Sequence, residues 1–233
     1  RGNIPSFLHI SGAKTGELTV FDQLIFEPGS FYILDRGFTD YSRLYRLHQE
    51  RAYFVIRARS NMQFSRLQSH HVDKSSGLRC DQIIMLGGRY SARAYPQPLR
   101  RVKYFDVEHD RRLVFLTNHS LLPALSIAQL YRCRWQIELF FKWIKQHLRI
   151  KAFFGRSENA VKTQIWIAVA VYVLVAIVKK RLNASASLYT VLQILSLTLF
   201  DKQPLDQLLA EIESTPESLE ARNQMNLFPD ISG

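Results

Sequence analysis

One acidic residue stands among cations in a segment that is rich in large apolar residues, from Tyr131 to Lys151. If the segment is a helix that turns about 100° per residue, six polar side chains share an arc of about 80°. They are Tyr131, Arg134, Glu138, Lys142, Lys145 and Arg149. The flanking positions are mostly apolar. The pattern therefore predicts a helix that is packed on most of its surface and exposes one narrow cationic stripe.

Two chemical roles are open for Glu138 on this stripe. The simpler role is a solvated face on which Glu138 pairs with Arg134 and Lys142, at a few tenths of a kcal/mol per pair. The other is a carboxylate that ligates a divalent metal ion while the neighbouring cations hold phosphate groups on either side. The helix by itself favours the solvated face.

A second carboxylate, Asp35, closes the apolar stretch FYILD, which the sequence predicts as a buried strand. Gly37 and Phe38 follow it. A carboxylate at the end of a strand is held on a rigid element, as a catalytic ligand must be. Asp35 also suits a turn before Gly37. From the residues alone, both interpretations stay open.

Taken together, the two motifs resemble those of a known family. The signature residues are Tyr131, Arg134, Glu138 and Lys145, in the form Y-x2-R-x3-E-x6-K. This spacing is similar to that of DDE transposases of the insertion-sequence-four (IS-four) type, in which the glutamate is the third catalytic carboxylate. Asp35, with the glycine and the aromatic residue after it, resembles the second. The resemblance extends from the start of the chain to about residue 200.

The resemblance implies an α/β fold with an RNase H-like catalytic core, a β-rich insertion and a helical C-terminal part. It implies DNA strand cleavage and transfer at the ends of an insertion sequence, with Asp35 and Glu138 as catalytic residues and as ligands of Mg²⁺ (or Mn²⁺). The DNA-binding residues would be Tyr131, Arg134, Lys142, Lys145 and Arg149. The implied partners are transposon ends and target DNA, in a synaptic complex of two or more copies.

The first carboxylate of such a triad is harder to place. The acidic residues before Asp35 are Glu17, Asp22 and Glu27, and none of them ends a strand-like run. We therefore expect the first aspartate to lie upstream of Arg1, so that this chain alone is catalytically incomplete. The alternative hypothesis is a non-catalytic, basic DNA-binding remnant of a transposase.

Composition favours a polyanionic partner. The 233 residues carry a formal net charge of +11, which suggests nucleic acid or a membrane surface. The cysteines, Cys80 and Cys133, lie far apart and form no metal-binding spacing. A reduced protein of the bacterial cytoplasm, associated with the nucleoid when it binds DNA, is the simplest interpretation.

An uncharged segment, residues 165–178, is shorter than the roughly 20 residues that a membrane-spanning helix needs. We expect it to be a buried core helix, with no membrane as partner. Histidines 70, 71 and 147 have no partners at zinc-ligand spacing.

Periodicity predicts the remaining elements. Expected strands cover residues 7–10, 31–35 and 52–59, with a helix from Thr39 or Asp40 to about Glu50 between the last two. This order predicts a partly parallel sheet. Expected helices cover 124–148, 157–182, 188–200 and 204–213, before a polar tail. The predicted domains are 1–60 (core, first part), 61–118 (insertion), 119–182 (core, helical part) and 183–233.

The predicted insertion is basic and contains several aromatic residues. Its cations offer a DNA-binding surface, with a solvated edge strand as the alternative. They are Arg89, Arg93, Arg100, Arg101, Lys103, Arg111 and Arg112. Relatives that form hairpin ends stack a flipped base on an aromatic residue, often a tryptophan of the insertion. No tryptophan lies in 61–118, so hairpin formation stays open.

Overall fold

The computed structural model describes residues 4, 5, 7–12, 16–148, 150, 152–198 and 207. The described helices and strands are, in chain order, α1 (Glu17–Phe21), β1 (Phe31–Leu34), α2 (Tyr41–Gln49), β2 (Tyr53–Arg57), β3 (Phe64–His70), β4 (Leu78–Leu86), α3 (Arg89–Ala94), β5 (Leu99–Asp106), β6 (Arg111–Thr117), α4 (Ala124–Arg132), α5 (Trp135–His147), α6 (Glu158–Arg181) and α7 (Leu188–Thr198). The predicted α/β class is confirmed.

The chain forms two compact units, and the first, His9–Leu139, contains one six-stranded sheet. Its strand order is β1-β2-β6-β5-β4-β3. Strands β1 and β2 are parallel, and every other pair is antiparallel. The parallel pair follows from the crossover helix α2 between its strands, as the sequence predicted. The strands of the predicted insertion continue the same sheet through the pairing of β6 with β2.

Helix α2 begins where expected because Asp40 caps it. The Asp40 Oδ1 atom accepts a hydrogen bond from the Arg43 N–H at 3.0 Å, which satisfies one of the unpaired donors of the first turn. Leu44 and Leu47 are fully buried against the sheet. The strand after this helix, β2, is buried at its three central positions. This β1–α2–β2 unit fixes the strand end that carries Asp35.

The sheet separates the core of this unit into two parts, and helices pack on both of its faces. One face contributes Ile84, Leu99 and Leu116 to the cluster that contains Leu44 and Leu47. The opposite face contributes a set of residues that packs against α4. They are Val55, Leu78, Val102 and Phe115, with Ile127 and Tyr131 from α4.

Two predicted elements differ from the structure. Residues 7–10 form no regular element, although FLHI has a strand-like composition. A short helix, α3, interrupts the stretch that was predicted to be all β, because Gly88 turns the chain at a positive φ of 79° after β4. Apart from residue 207, the predicted helix 204–213 and the polar tail fall outside the described residues.

The largest correction concerns the single helix predicted over residues 124–148. The structure contains two helices, α4 and α5, joined at Cys133 and Arg134. Around this joint, backbone N–H groups bond to carbonyls three residues earlier, from Cys133 N to Leu130 O through to Ile137 N to Arg134 O. The backbone there makes a turn in about three residues, whereas an α-helix needs 3.6. The side chains beyond this turn therefore point in a different direction relative to α4.

The second unit contains the described residues from Phe140 onward, together with residues 4, 5, 7 and 8. Helix α6 begins after Ser157, whose Oγ accepts the Ala160 N–H at 3.2 Å, as predicted. The buried face of α6 is formed by Ala168, Val169, Tyr172 and Val175.

The expectation of a buried core helix holds only for that face of α6, because Trp166, Ile167 and Leu174 are exposed. With 24 residues, α6 is long and apolar enough to cross a membrane by length and composition. A core helix of a soluble protein can meet the same criterion, so this is weak evidence.

Candidate active site at the end of the parallel strands

Asp35 follows β1 at the sheet edge where the carboxyl ends of β1 and β2 meet. Its Oδ1 atom accepts the Arg36 N–H at 2.6 Å and so caps a 3₁₀ turn over Arg36–Phe38. The turn-forming role considered from the sequence is therefore present. This cap uses only Oδ1, so Oδ2 takes no part in the turn, and the Asp35 side chain is 56% exposed. Asp35 can cap its loop and still present one oxygen outward.

Arg134 joins Asp35 to Glu138. Its Nη1 atom lies 3.6 Å from Asp35 Oδ2 and makes a short hydrogen bond to Glu138 Oε1. Because one nitrogen contacts both carboxylates, their oxygens lie within about 6 Å of each other, a gap that two metal ions about 4 Å apart can span. The fold thus brings together the two carboxylates that the sequence singled out. Their catalytic and metal-binding roles remain predictions.

The electrostatics of this cluster keep Arg134 charged. Burial opposes its charge, but the hydrogen bond that Arg134 donates to Glu138 and the nearby Asp35 carboxylate outweigh that effect and raise the pKa of the guanidinium. The guanidinium also lies over the rings of Tyr131 and Trp135, at 5.8 and 5.7 Å from their centroids. Arg134 is therefore a fixed cation between two carboxylates.

Tyr131 does not belong to an exposed stripe. Its side chain is buried and packs on Phe115 with ring centroids 4.8 Å apart. Burial raises the pKa of the Tyr131 phenol, and the charge of Arg134 partly opposes that shift. The prediction of one continuous stripe was wrong because the tightened turn at Cys133 and Arg134 rotates α5 relative to α4. DNA contact by Tyr131 stays a prediction.

The apolar flanks of the predicted helix also differ from expectation. Phe140 and Ile144 are buried, whereas four other large side chains of α5 are more than two-fifths exposed. They are Trp135, Ile137, Leu139 and Phe141. The prediction that this helix is packed on most of its surface was wrong for the described structure.

The donor set fits a hard divalent cation. Glu138 Oε2 is buried and has no hydrogen-bond partner among the described residues. A buried carboxylate oxygen without a partner is costly unless something binds it. Carboxylate oxygens are the ligands that Mg²⁺ prefers, with water completing its shell. Asp35 Oδ2 and Glu138 Oε2 are the atoms that would hold such an ion.

Sequence reasoning missed Arg57, the last residue of β2. Since β1 and β2 are parallel, the end of β2 lies at the same sheet edge as the end of β1, and the Arg57 charge acts on the Tyr131 phenol. The sequence could have indicated this residue, because Arg57 is a cation near the end of the second strand of the predicted parallel pair. Arg57 is a candidate phosphate ligand beside Asp35.

The remaining predicted DNA-binding residues lie in the second unit or outside the described structure. Lys142 and Lys145 are exposed on α5. Within the described residues, neither makes an ion pair. Arg149 falls outside the described residues. Their role in DNA binding stays a prediction.

Other acidic groups are accounted for by local contacts. Asp22, one candidate for an additional carboxylate, follows α1 and pairs with Arg43 at 2.6 Å, and this hydrogen bond lowers the pKa of its carboxyl. At the β5–β6 turn, ligand atoms of Asp106, Glu108 and His109 lie within 4.8 Å of one another. His109 contacts Asp106 there at 3.0 Å. Because exposed acidic turns are common without a metal, this group is the weaker candidate.

Comparison with known proteins places the chain in a family. Residues 1–174 match the transposase DDE domain, a family that uses a divalent metal ion. The chain is 34% identical over 183 residues to y4zB of Sinorhizobium fredii, which is named as a transposase; the match covers 77% of this chain and 51% of that protein. It is 32% identical over 159 residues to a Geobacillus stearothermophilus protein named as a transposase for insertion sequence element IS5377, covering 66% of this chain and 41% of that protein.

A Synechocystis protein named as a transposase for insertion sequence element IS4SA is 27% identical over 151 residues, which is 61% of this chain and 39% of that protein. The chain therefore spans about half, or less, of the length of these relatives. The mixed sheet with its flanking helices agrees with an RNase H-like DDE core. Asp35, Tyr131, Arg134, Glu138 and Lys145 all fall inside the matched residues. The chain belongs to the transposase DDE domain family.

Proposed function

We propose that this chain provides catalytic residues of a transposase that cleaves and transfers DNA strands at the ends of an insertion sequence. The observation that carries the proposal is the placement of Asp35 and Glu138 on one guanidinium, with a buried Glu138 oxygen left unpartnered. Two carboxylates far apart in sequence contact the same guanidinium, which supports a shared role as oxygen ligands.

In this mechanism Asp35 and Glu138 would hold Mg²⁺, or Mn²⁺ in its place. When bound, the ion stabilises negative charge on the attacking and leaving oxygens of phosphodiester exchange. Asp35 is oriented by its hydrogen bond to Arg36, and Glu138 by the packed helix that carries it. Rigid placement matters because small displacements of catalytic groups reduce the rate strongly.

Arg134 is proposed to leave the carboxylates and bind a DNA phosphate when metal and DNA are present. Its planar guanidinium suits bidentate phosphate contacts, whereas lysines act as point charges. Lys142 and Lys145 are proposed to bind the DNA backbone along the helix that carries Glu138. Arg149 is proposed to bind the DNA backbone as well, and Tyr131 to support Arg134 through the contact between its ring and the guanidinium.

The proposed partners are the ends of the element, target DNA and further copies of the same protein in a synaptic complex. The proposed location is the bacterial cytoplasm, on the nucleoid when DNA is bound. The formal net charge of +11 supports a polyanionic partner.

The test is cleavage of element ends by the full reading frame that contains this chain, with Mg²⁺ present. Asp35→Asn and Glu138→Gln should each reduce cleavage at least a hundredfold, or about 2.7 kcal/mol, and leave DNA binding intact. Asp110→Asn is a matched control: Asp110 is an exposed acid with a positive φ of 45°, which asparagine tolerates. Full cleavage by Glu138→Gln would refute the catalytic assignment. DNA binding without cleavage in the unmodified protein would support the remnant hypothesis instead.

A further inference from the structure

One face of the sheet carries five cations on strands β3 to β6. No carboxylate of these strands lies on the same face. The cations are Arg66, Arg79, Arg101, Lys103 and Arg112, which we call the cationic sheet face. The register places Arg101 opposite Gln82 and Lys103 opposite Cys80 and Val114. Arg66, Arg79 and Arg112 are exposed, and Arg101 and Lys103 are half-buried.

The acidic residues of these strands lie on the other side of the sheet. Asp81 pairs in register with Val102, and Asp106 alternates with Phe105, so both carboxylates lie away from Arg101. Asp81 is also buried and is neutralised by Arg100 at 2.7 Å. Among the described residues, none of the five cations on the face makes an ion pair. Arg100, predicted as part of a DNA-binding cluster, is buried and points to the opposite side, so that assignment was wrong.

Two of the arginine guanidinium groups lie over aromatic rings. The Arg101 guanidinium lies 4.8 Å from the centroid of the Phe64 ring, and the Arg79 guanidinium lies 5.3 Å from that of Phe105. Stacking orders a guanidinium while leaving its edge donors available. The Arg101 Nη1 atom donates to Gln82 Oε1 at 2.9 Å and to Cys80 Sγ at 3.1 Å, and its Nε is buried without a hydrogen-bond partner in the described structure. The Arg79 Nη1 atom donates to the Lys74 carbonyl at 3.1 Å, so the Nη2 groups are the donors that these contacts leave for phosphate.

We propose that the cationic sheet face binds the phosphodiester backbone of duplex DNA, as a surface distinct from the Asp35–Glu138 site. The inference rests on the proposed function for DNA as the partner. Adjacent strands are about 4.8 Å apart, so cations on the four strands β3 to β6 extend over about 14 Å. That span matches a DNA groove about 12 Å wide with phosphates on both sides. Because the contacts are to phosphate, the face adds affinity without base specificity.

The experiment measures binding of a fixed-length duplex by the full chain as a function of salt. A triple variant, Arg66→Gln with Lys103→Gln and Arg112→Gln, should reduce the magnitude of the log–log slope by two to three, since each lost phosphate contact removes about 0.9. The matched control removes three exposed cations elsewhere, Arg51→Gln with Lys180→Gln and Arg181→Gln, and should change the slope by less than one.

A charge-conserving triple, Arg66→Lys with Lys103→Arg and Arg112→Lys, should keep the original slope. Thermal unfolding of all three variants shows that the sheet is intact. Equal slopes for the sheet-face and control triples would overturn this assignment alone. Failure of the unmodified chain to bind duplex DNA would overturn the proposed function as well, and loss of duplex RNA binding without loss of duplex DNA binding would assign the face to RNA.

Discussion

Removing the charge of Arg134 should tighten divalent metal binding, although most substitutions beside a metal site weaken it. In the structure its guanidinium contacts both Asp35 and Glu138. It therefore occupies the place that a metal ion bound by both carboxylates would take. The cation and the metal therefore compete for the same carboxylates. Arg134→Gln keeps a polar side chain of moderate length and removes the competing charge.

The magnitude follows from the contacts. Two unit charges about 4 Å apart interact by about 4 kcal/mol at an effective dielectric constant of 20. Side-chain exposure of 56% for Asp35 and 38% for Glu138 reduces this strongly, to about 0.5–1 kcal/mol for each of the two pairs, or about 1–2 kcal/mol in total. Every 1.4 kcal/mol is a factor of ten in affinity, so we expect Arg134→Gln to bind Mn²⁺ about tenfold more tightly.

The assay is Mn²⁺ binding to the DNA-free chain, followed by electron paramagnetic resonance or calorimetry. Arg134→Lys keeps the charge and should stay within about threefold of the unmodified chain. Adding Glu138→Gln to Arg134→Gln should remove the gain in Mn²⁺ affinity. That result would locate the Mn²⁺ site at Asp35 and Glu138 and not at the β5–β6 turn. Unchanged or weaker Mn²⁺ binding by a folded Arg134→Gln chain would refute the competition.

The other predictions concern stability and pH. Asp81→Asn should cost about 3–5 kcal/mol in a denaturant titration, because it leaves the buried Arg100 charge uncompensated, whereas Arg112→Gln on the surface should cost less than about 0.5 kcal/mol. His119 accepts two backbone N–H groups at Nδ1, and burial lowers its pKa. As pH falls, the unfolded chain therefore protonates His119 before the folded chain does. The free energy of unfolding is highest above a pH of about 6.5 and decreases as pH drops below it. His119→Asn should reduce the difference in the free energy of unfolding between pH 7.5 and pH 5.5. Ser157→Ala should cost about 1 kcal/mol in thermal unfolding through loss of the α6 cap, and no loss would contradict the capping role.

Local patterns predicted the part of the fold that holds Asp35. Apolar runs predicted β1 and β2, and the capping residues Thr39 and Asp40 predicted the start of the helix between them; the structure selects Asp40. That order is enough to infer parallel strands and a shared carboxyl edge. Arg57 could have been predicted by the same reasoning.

The orientation of Glu138 could not be predicted in the same way. The helical wheel assumes a constant turn per residue, and nothing in YRCRW, neither Pro nor Gly, signals the tightened turn at Cys133 and Arg134. Packing of Tyr131 on Phe115 accompanies that turn, and this is a tertiary contact between distant residues. Arg100 was misassigned for a related reason, since only the sheet register shows that it faces Asp81.

The most direct test of the central claim is the position of Mn²⁺ in crystals of this chain, located by anomalous scattering. The account predicts a peak about 2.0–2.4 Å from Asp35 Oδ2 and Glu138 Oε2, allowing for the metal–oxygen distances of small divalent ions, with Arg134 displaced from between them. A peak only at Asp106, Glu108 and His109, with Arg134 still bridging Asp35 and Glu138, would contradict it.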